Sequence, residues 1–263
     1  IVFGDWSSDV CSSDLTDHDV DTVFTPELAG LDRDELRRWY NGYNWTGEAV
    51  YNPFDLLLLF EKRQFRPWWF ETGTPTFLVQ HLVEKHYFTP NLARTQSSMT
   101  LLSSFDVGQI SPEALLFQTG YLTIQNVSQP ILGQWVYTLG YPNLEVEASL
   151  NTALLNGLGA EEQTSFPQRL RLLEILQTNE LQAMQSLFHS FYASIPHDWY
   201  RRNQLANYEG YYASIFYSYF AALGLDITLE DTTSKGRIDM AVRFNGHIWL
   251  FEFKVVEMEP EGN

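Results

Sequence analysis

Near its C-terminus the chain carries Asn245-Gly246 between two apolar-alternating runs, RIDMAVRF and HIWLFEFK. Both residues of a two-residue type I′ turn need positive φ, which Asn and Gly tolerate, so the dipeptide predicts a β-hairpin. A loop of that length fixes the register. Phe244 opposes His247, and stepping back along both strands sets Asp239 opposite Glu252. Opposed side chains share a face, with Cβ atoms about 4.5 to 5.5 Å apart, where two like charges destabilise the pair unless a cation sits with them. Lys254 projects from that same face by strand alternation, while Trp249, Phe251 and Phe253 point to the other, the expected core side.

Two carboxylates and an ammonium group on one patch have a chemistry. Paired carboxylates supply hard oxygen ligands for Mg²⁺ or Mn²⁺, and such an ion lowers the pKa of a bound water and neutralises charge on a phosphoryl oxygen. A lysine beside it can orient the water or stabilise the transition state. The plain alternative is a solvated hairpin face on which Lys254 screens two acids, an arrangement worth about 0 to 1 kcal/mol.

Composition narrows the choice. The 263 residues make one to two domains, and 16 Lys and Arg against 33 Asp and Glu leave a net charge of −17. That charge disfavours whole-surface attraction to nucleic acid or anionic lipid, so any phosphate-binding site must be local. No apolar run is long enough for a membrane span. With Cys11 as the single cysteine, a disulfide framework and a Cys-rich zinc site are excluded, and a cytoplasmic setting is expected. Residues 1–15 have no helical or strand period, and DWSSDVCSSDL resembles a translated sequencing-adapter read. They are expected to be an artefactual or disordered tail, which removes Cys11 as a nucleophile. The six histidines show no HExxH or i, i+4 metal spacing.

The rest of the chain divides by pattern. From residue 16 to 157 helix starts recur: Asp32 three before Glu35, and Asn52-Pro53, Thr74-Pro75 and Ser111-Pro112, each a capping side chain ahead of proline. FDLLLLF, TFLVQHL and EALLF are apolar on most sides and are expected in a core, with a small hairpin from YLTIQNV and QWVYTL. Residues 158–168 mix Gly, Pro and acids and are expected to be a linker. Residues 169–263 begin with helical patterns, including YEGYYASIFYSYFAALG, where Tyr212, Phe216, Phe220 and Leu223 form one stripe. They end in three strands, LDITL, RIDMAVRF and HIWLFEFKV.

Asp239, then Glu252-Phe253-Lys254 on the next strand, after a helix containing Glu209, resembles the PD-(D/E)XK nuclease superfamily with its restriction-endonuclease-like core. More narrowly, WYNGYNW, YNPFDLL, WWFETGTPTFLV, LLFQTGYLTI and GRIDM with FEFK resemble bacterial proteins in which an AAA-type ATPase-like region precedes a nuclease-like domain. The resemblance implies an α/β chain: a mainly helical remnant of the ATPase region, then the nuclease-like domain. It implies that Asp239 and Glu252 ligate Mg²⁺ or Mn²⁺, that Lys254 is the catalytic lysine and that Glu209 is a helix-borne acid of the site. Lys235 and Arg237, which precede Asp239, are the candidates for contact with nucleic acid, DNA in preference to RNA.

No GxxxxGK[ST] occurs, so ATP would enter only through a region upstream, and the helix and strand expected after the lysine strand are missing. Both ends are therefore expected to be truncated, with nuclease activity stronger in the parent protein. The rival reading is a non-catalytic module that couples an AAA-type ATPase to a protein partner, which the net negative charge favours; the intact Asp, Glu and Lys favour the nuclease.

Overall fold

The computed structural model describes residues 15–72, 75–103, 110–193, 209–233 and 236–252, and in it the chain forms two compact units of mixed α/β structure. One comprises residues up to 82 together with 91–153; the other comprises 83–90 and everything from 154 onward.

The first unit is assembled from capped helices. Thr16 and Asp19 form a reciprocal capping box at the start of α1 (Asp17–Val23). Asp32 accepts from the Asp34 and Glu35 amides at the start of α2 (Arg33–Tyr40), and Asn52 accepts from Phe54 N ahead of Pro53 in α3 (Pro53–Lys62). A short α4 (Trp68–Glu71) and α5 (Thr76–Glu84) follow. Strands β1 (Asn41–Tyr43) and β2 (Val50–Tyr51) pair antiparallel, and the Leu15 carbonyl accepts from Tyr51 N at 2.9 Å. Leu15 is thus part of the folded body, not of the tail that its neighbours' composition suggests.

Val20, Leu36, Tyr40, Tyr51, Leu56, Leu59 and Trp68 make one buried cluster. Contrary to the expectation from their sequences, the apolar helices are not buried all round. Leu56 and Leu59 are enclosed while Phe54 and Leu57 are exposed, and in α5 Leu78, Val79 and Leu82 are enclosed while Phe77 is 70% exposed. A helix at the surface of a small unit has only one stripe to bury, whatever its other faces carry.

Strands β4 (Thr123–Ile131) and β5 (Gln134–Gly140) form the expected hairpin after α7 (Pro112–Gln118), which Ser111 caps through Ala114 N. A third strand, β3 (Thr95–Ser97), joins the β5 edge, and α6 (Met99–Leu102) follows it. Three residues of TQS carry no period, so β3 has no signal in the sequence. The unit closes with the N-terminal part of α8 (Leu144–Gly157).

In the second unit α9 (Glu162–Thr178) and α10 (Leu181–Ala193) are joined by Asn179 in the left-handed conformation. Helix α9 runs through most of the segment expected to be a linker, and Pro167 lies inside it. Proline at the sixth helical position removes the bond to the Gln163 carbonyl, but Ser165 and Arg169 on the same stretch are buried, the latter paired to Glu162 at 2.6 Å.

Helix α11 (Glu209–Ala221) is enclosed on more than the predicted stripe: Ile215, Phe216, Tyr217, Tyr219, Phe220 and Ala221 are all buried. Phe191 stacks on Tyr219 with centroids 3.7 Å apart, and Phe188 meets Phe216 edge-on at 4.6 Å. The sheet has the antiparallel order β6 (Asp226–Thr233), β7 (Gly236–Phe244), β8 (His247–Phe251).

One backbone contact in the first unit is unforgiving. Gly42 in β1 has φ 132°, and a Cβ there would collide with the Pro142 carbonyl. Gly42→Ala is expected to cost about 3 kcal/mol, from strain at positive φ and displacement of rigid backbone. Thermal unfolding should record a fall of roughly 10 °C, whereas Gly47→Ala, with open space around its Cβ position, should unfold close to wild type.

Candidate functional site

The C-terminal hairpin has the turn and register that Asn245-Gly246 dictates. Both residues have positive φ, 50° and 76°, and the pairs run Phe244 with His247, Arg243 with Ile248, Val242 with Trp249, Ala241 with Leu250 and Met240 with Phe251. The next step of the same register aligns Asp239, the half-buried residue before Met240, with Glu252, the exposed residue after β8.

Alternation sorts the two faces. Met240, Val242 and Trp249 are buried, and Phe251 packs edge-on against Phe216 and Phe220 at 5.2 Å each. Arg243, Ile248, Leu250 and Glu252 are exposed. Trp249 and Phe251 thus take the core side expected for them. On the other face Arg243 donates to Thr228 Oγ1 at 2.7 Å and lies 3.7 Å from Asp226, so that cation is engaged along β6 and β7, away from the Asp239 end.

The remaining candidates are placed only in part. Glu209 is the first residue of α11, and Arg237 pairs through its backbone with Thr232, two residues before Asp239 on β7. Lys235, Phe253 and Lys254 lie outside the described residues, as do Cys11 and the Thr74 cap. Among the described residues no group of three or more His, Cys, Asp or Glu side chains is poised around one point to hold a metal. Asp239 and Glu252 supply hard oxygen donors of the type Mg²⁺ or Mn²⁺ prefers, and as a pair they fit part of such a shell.

A second carboxylate pair, for which the sequence carries no signal, lies in the first unit. Asp55 stands in the first turn of α3 and Glu145 in the first turn of α8, and both are fully buried. Glu145 Oε1 accepts from the Trp69 amide in α4 at 2.8 Å, and Asn143 caps α8 by accepting from Val146 N at 3.1 Å. Three helix N-termini therefore converge on the two acids, a setting that tolerates negative charge.

Burial drives both pKa values up, Glu145 to about 9 and Asp55 to about 6, and the proximity of Asp55 raises Glu145 further. Glu145, the Trp69 amide and Asn52 approach Asp55 without closing a hydrogen bond of normal geometry, and offset part of its rise. Neither Asp55 oxygen nor Glu145 Oε2 has a protein donor. A proton retained between the two acids would pair Glu145 Oε2 with one of the Asp55 oxygens, as in other carboxyl pairs that cannot both ionise. Each acid alone looks like an ordinary dipole partner of its helix; nothing in one dimension says that the two helix starts face each other.

Residues 207–263 match the PD-(D/E)XK nuclease superfamily. A protein of Azotobacter chroococcum mcd 1, described as an uncharacterized protein in the vnfD 5′ region, is 64% identical over 247 residues, covering 94% of this chain and 48% of its own length. The chain thus spans about half the length of that relative. No solved structure matches the chain. No helix among the described residues is long and apolar enough to cross a membrane.

The buried acid pair makes a prediction about pH. Glu145 has its folded pKa raised above the ordinary value, so its contribution is fully present below about pH 4.5 and is lost as pH rises toward about 9. Glu145→Gln keeps an acceptor for Trp69 N and a donor for Asp55 but cannot ionise. Its melting temperature should gain on wild type steadily as pH is raised across that window, and a constant difference would show that Glu145 does not hold the proton.

Proposed function

We propose that the chain belongs to a metal-dependent nuclease that hydrolyses phosphodiester bonds of nucleic acid, DNA in preference to RNA, at the Asp239 face of the C-terminal hairpin. The single observation that supports this reading is the hairpin register, paired as far as Met240 with Phe251, whose next step sets Asp239 opposite Glu252 in a segment matching the PD-(D/E)XK nuclease superfamily. Asp239 and Glu252 hold Mg²⁺ or Mn²⁺, with Glu209 as a further ligand from the start of α11. The ion supplies a water of lowered pKa and neutralises charge on the phosphoryl oxygen.

Lys254 positions the attacking water and meets negative charge as it develops in the transition state. Lys235 and Arg237 contact phosphates close to the scissile bond. With a net charge of −17, such contacts must be local, because the surface as a whole repels a polyanion.

The same charge is what favours a second reading, a non-catalytic nuclease fold that couples an upstream AAA-type ATPase to a protein partner. The two part on turnover. On the nuclease reading, Mn²⁺ raises the melting temperature of wild type more than that of Glu252→Gln. Cleavage of a labelled single- or double-stranded oligonucleotide needs the metal, and Asp239→Asn and Lys254→Ala each lower it by about 10²-fold or more. Equal metal-induced stabilisation of wild type and Glu252→Gln, together with no cleavage by a chain that includes the full length of the Azotobacter relative, would assign the domain to the coupling role.

A further inference from the structure

The first unit contains a cleft of about 270 Å³ whose wall is built from Tyr43, Trp45, Tyr51, Trp69 and Phe117, with Asn52 among its polar members. Among the described residues, not one Lys, Arg, Asp, Glu or His lines it. Tyr43 and Trp45 lie nearly parallel, at 16° with centroids 6.4 Å apart. Tyr43 is enclosed, whereas Trp45 is 38% exposed at the rim.

Behind this wall is the buried acid pair. Trp69 is both a wall residue and, through its amide, the donor to Glu145, while Asn52, also in the wall, is the N-cap of the helix that carries Asp55. An aromatic-lined hollow with a buried anionic group behind it and no cation inside favours positive charge, because ring faces are negative and the acid pair adds to the same potential. Arg33 lies over the Tyr51 ring at 5.9 Å, but its charge is met by Asp17 and Asp21 at 3.0 and 2.9 Å. Size decides between occupants. The hollow lies below the roughly 300 to 1,000 Å³ of pockets that enclose a nucleotide or drug-sized molecule, and suits one long side chain.

We infer that this cleft is a receptor for a single cationic side chain, an arginine or lysine presented by a protein partner. It is distinct from the proposed nuclease face, which lies in the other unit. The cation enters past Trp45, rests among the rings of Tyr43, Trp69 and Phe117, and leaves its alkyl stem against Val50 and Pro53, which complete the apolar wall.

The test uses the full chain labelled with 5-fluorotryptophan, so that ¹⁹F resonances report each tryptophan separately, and Trp45→Ala assigns the rim signal. Arginine amide is titrated against citrulline amide, its neutral near-isostere, and against adenosine, with ionic strength held constant. Saturable shifts of the Trp45 and Trp69 signals with arginine amide but not citrulline amide, and an affinity about fivefold weaker in Trp45→Ala as read at Trp69, are the expected result. Shifts spread over all tryptophans would mean diffuse attraction to a negative protein and overturn the inference. So would equal binding of citrulline amide, preferential binding of adenosine, or no saturable shift with any probe.

Discussion

Two carboxylates brought side by side repel unless a positive charge or a proton stands with them, and the fold raises that constraint in each unit. In the second unit the positive-φ turn at Asn245 and Gly246 locks the hairpin register, and the register sets Asp239 against Glu252. Glu252 is exposed and Asp239 half-buried, so this pair is not shut away from water. In the first unit the facing starts of α3 and α8 bring Asp55 against Glu145 away from water, where burial favours a retained proton and the helix N-termini favour the remaining charge. Solvent access separates the two: Glu252 stands open to water, whereas the buried pair can only hold or lose a proton.

The aromatic packing around each pair has different work to do. Under the hairpin, Phe188, Phe216, Phe220 and Phe251 interlock at edge-on or tilted angles, which holds one face of β7 and β8 and leaves Arg243, Ile248, Leu250 and Glu252 exposed on the other. This division rests on the two-residue period of a strand, since a one-residue slip would bury the acids and expose the rings. In the first unit Tyr43, Trp69 and Phe117 wall a cleft that, among the described residues, holds no charged side chain, while the Trp69 amide binds Glu145.

The legibility of each element in the sequence follows from how local its cause is. The cap at Asn52 and the β4–β5 hairpin are set by neighbours in sequence, and they stand where the pattern puts them. Residues 162–168 have the pattern of a linker because Pro167 and the acids interrupt the helical period, yet packing of Ser165 and Arg169 pulls the segment into α9. Strand β3 carries no pattern of its own because its three residues gain strand structure only from β5. The exposed Phe54, Leu57 and Phe77 show the limit of composition: it counts apolar residues, but the number of neighbouring surfaces decides how many are covered.

A two-residue turn and the alternation of a strand leave no freedom in register, so Asn245-Gly246 and its flanking residues are sufficient to specify the hairpin and the alignment of Asp239 with Glu252. The same alternation places Met240, Val242 and Trp249 on a face opposite to Ala241 and Arg243. No such local rule brings Asp55 and Glu145, ninety residues apart, into one buried space, or sets Tyr43, Trp69 and Phe117 around one cleft. Those arrangements arise only on folding, because they depend on where separate helices and strands dock, and docking is fixed by the summed packing of many side chains rather than by the geometry of any one segment.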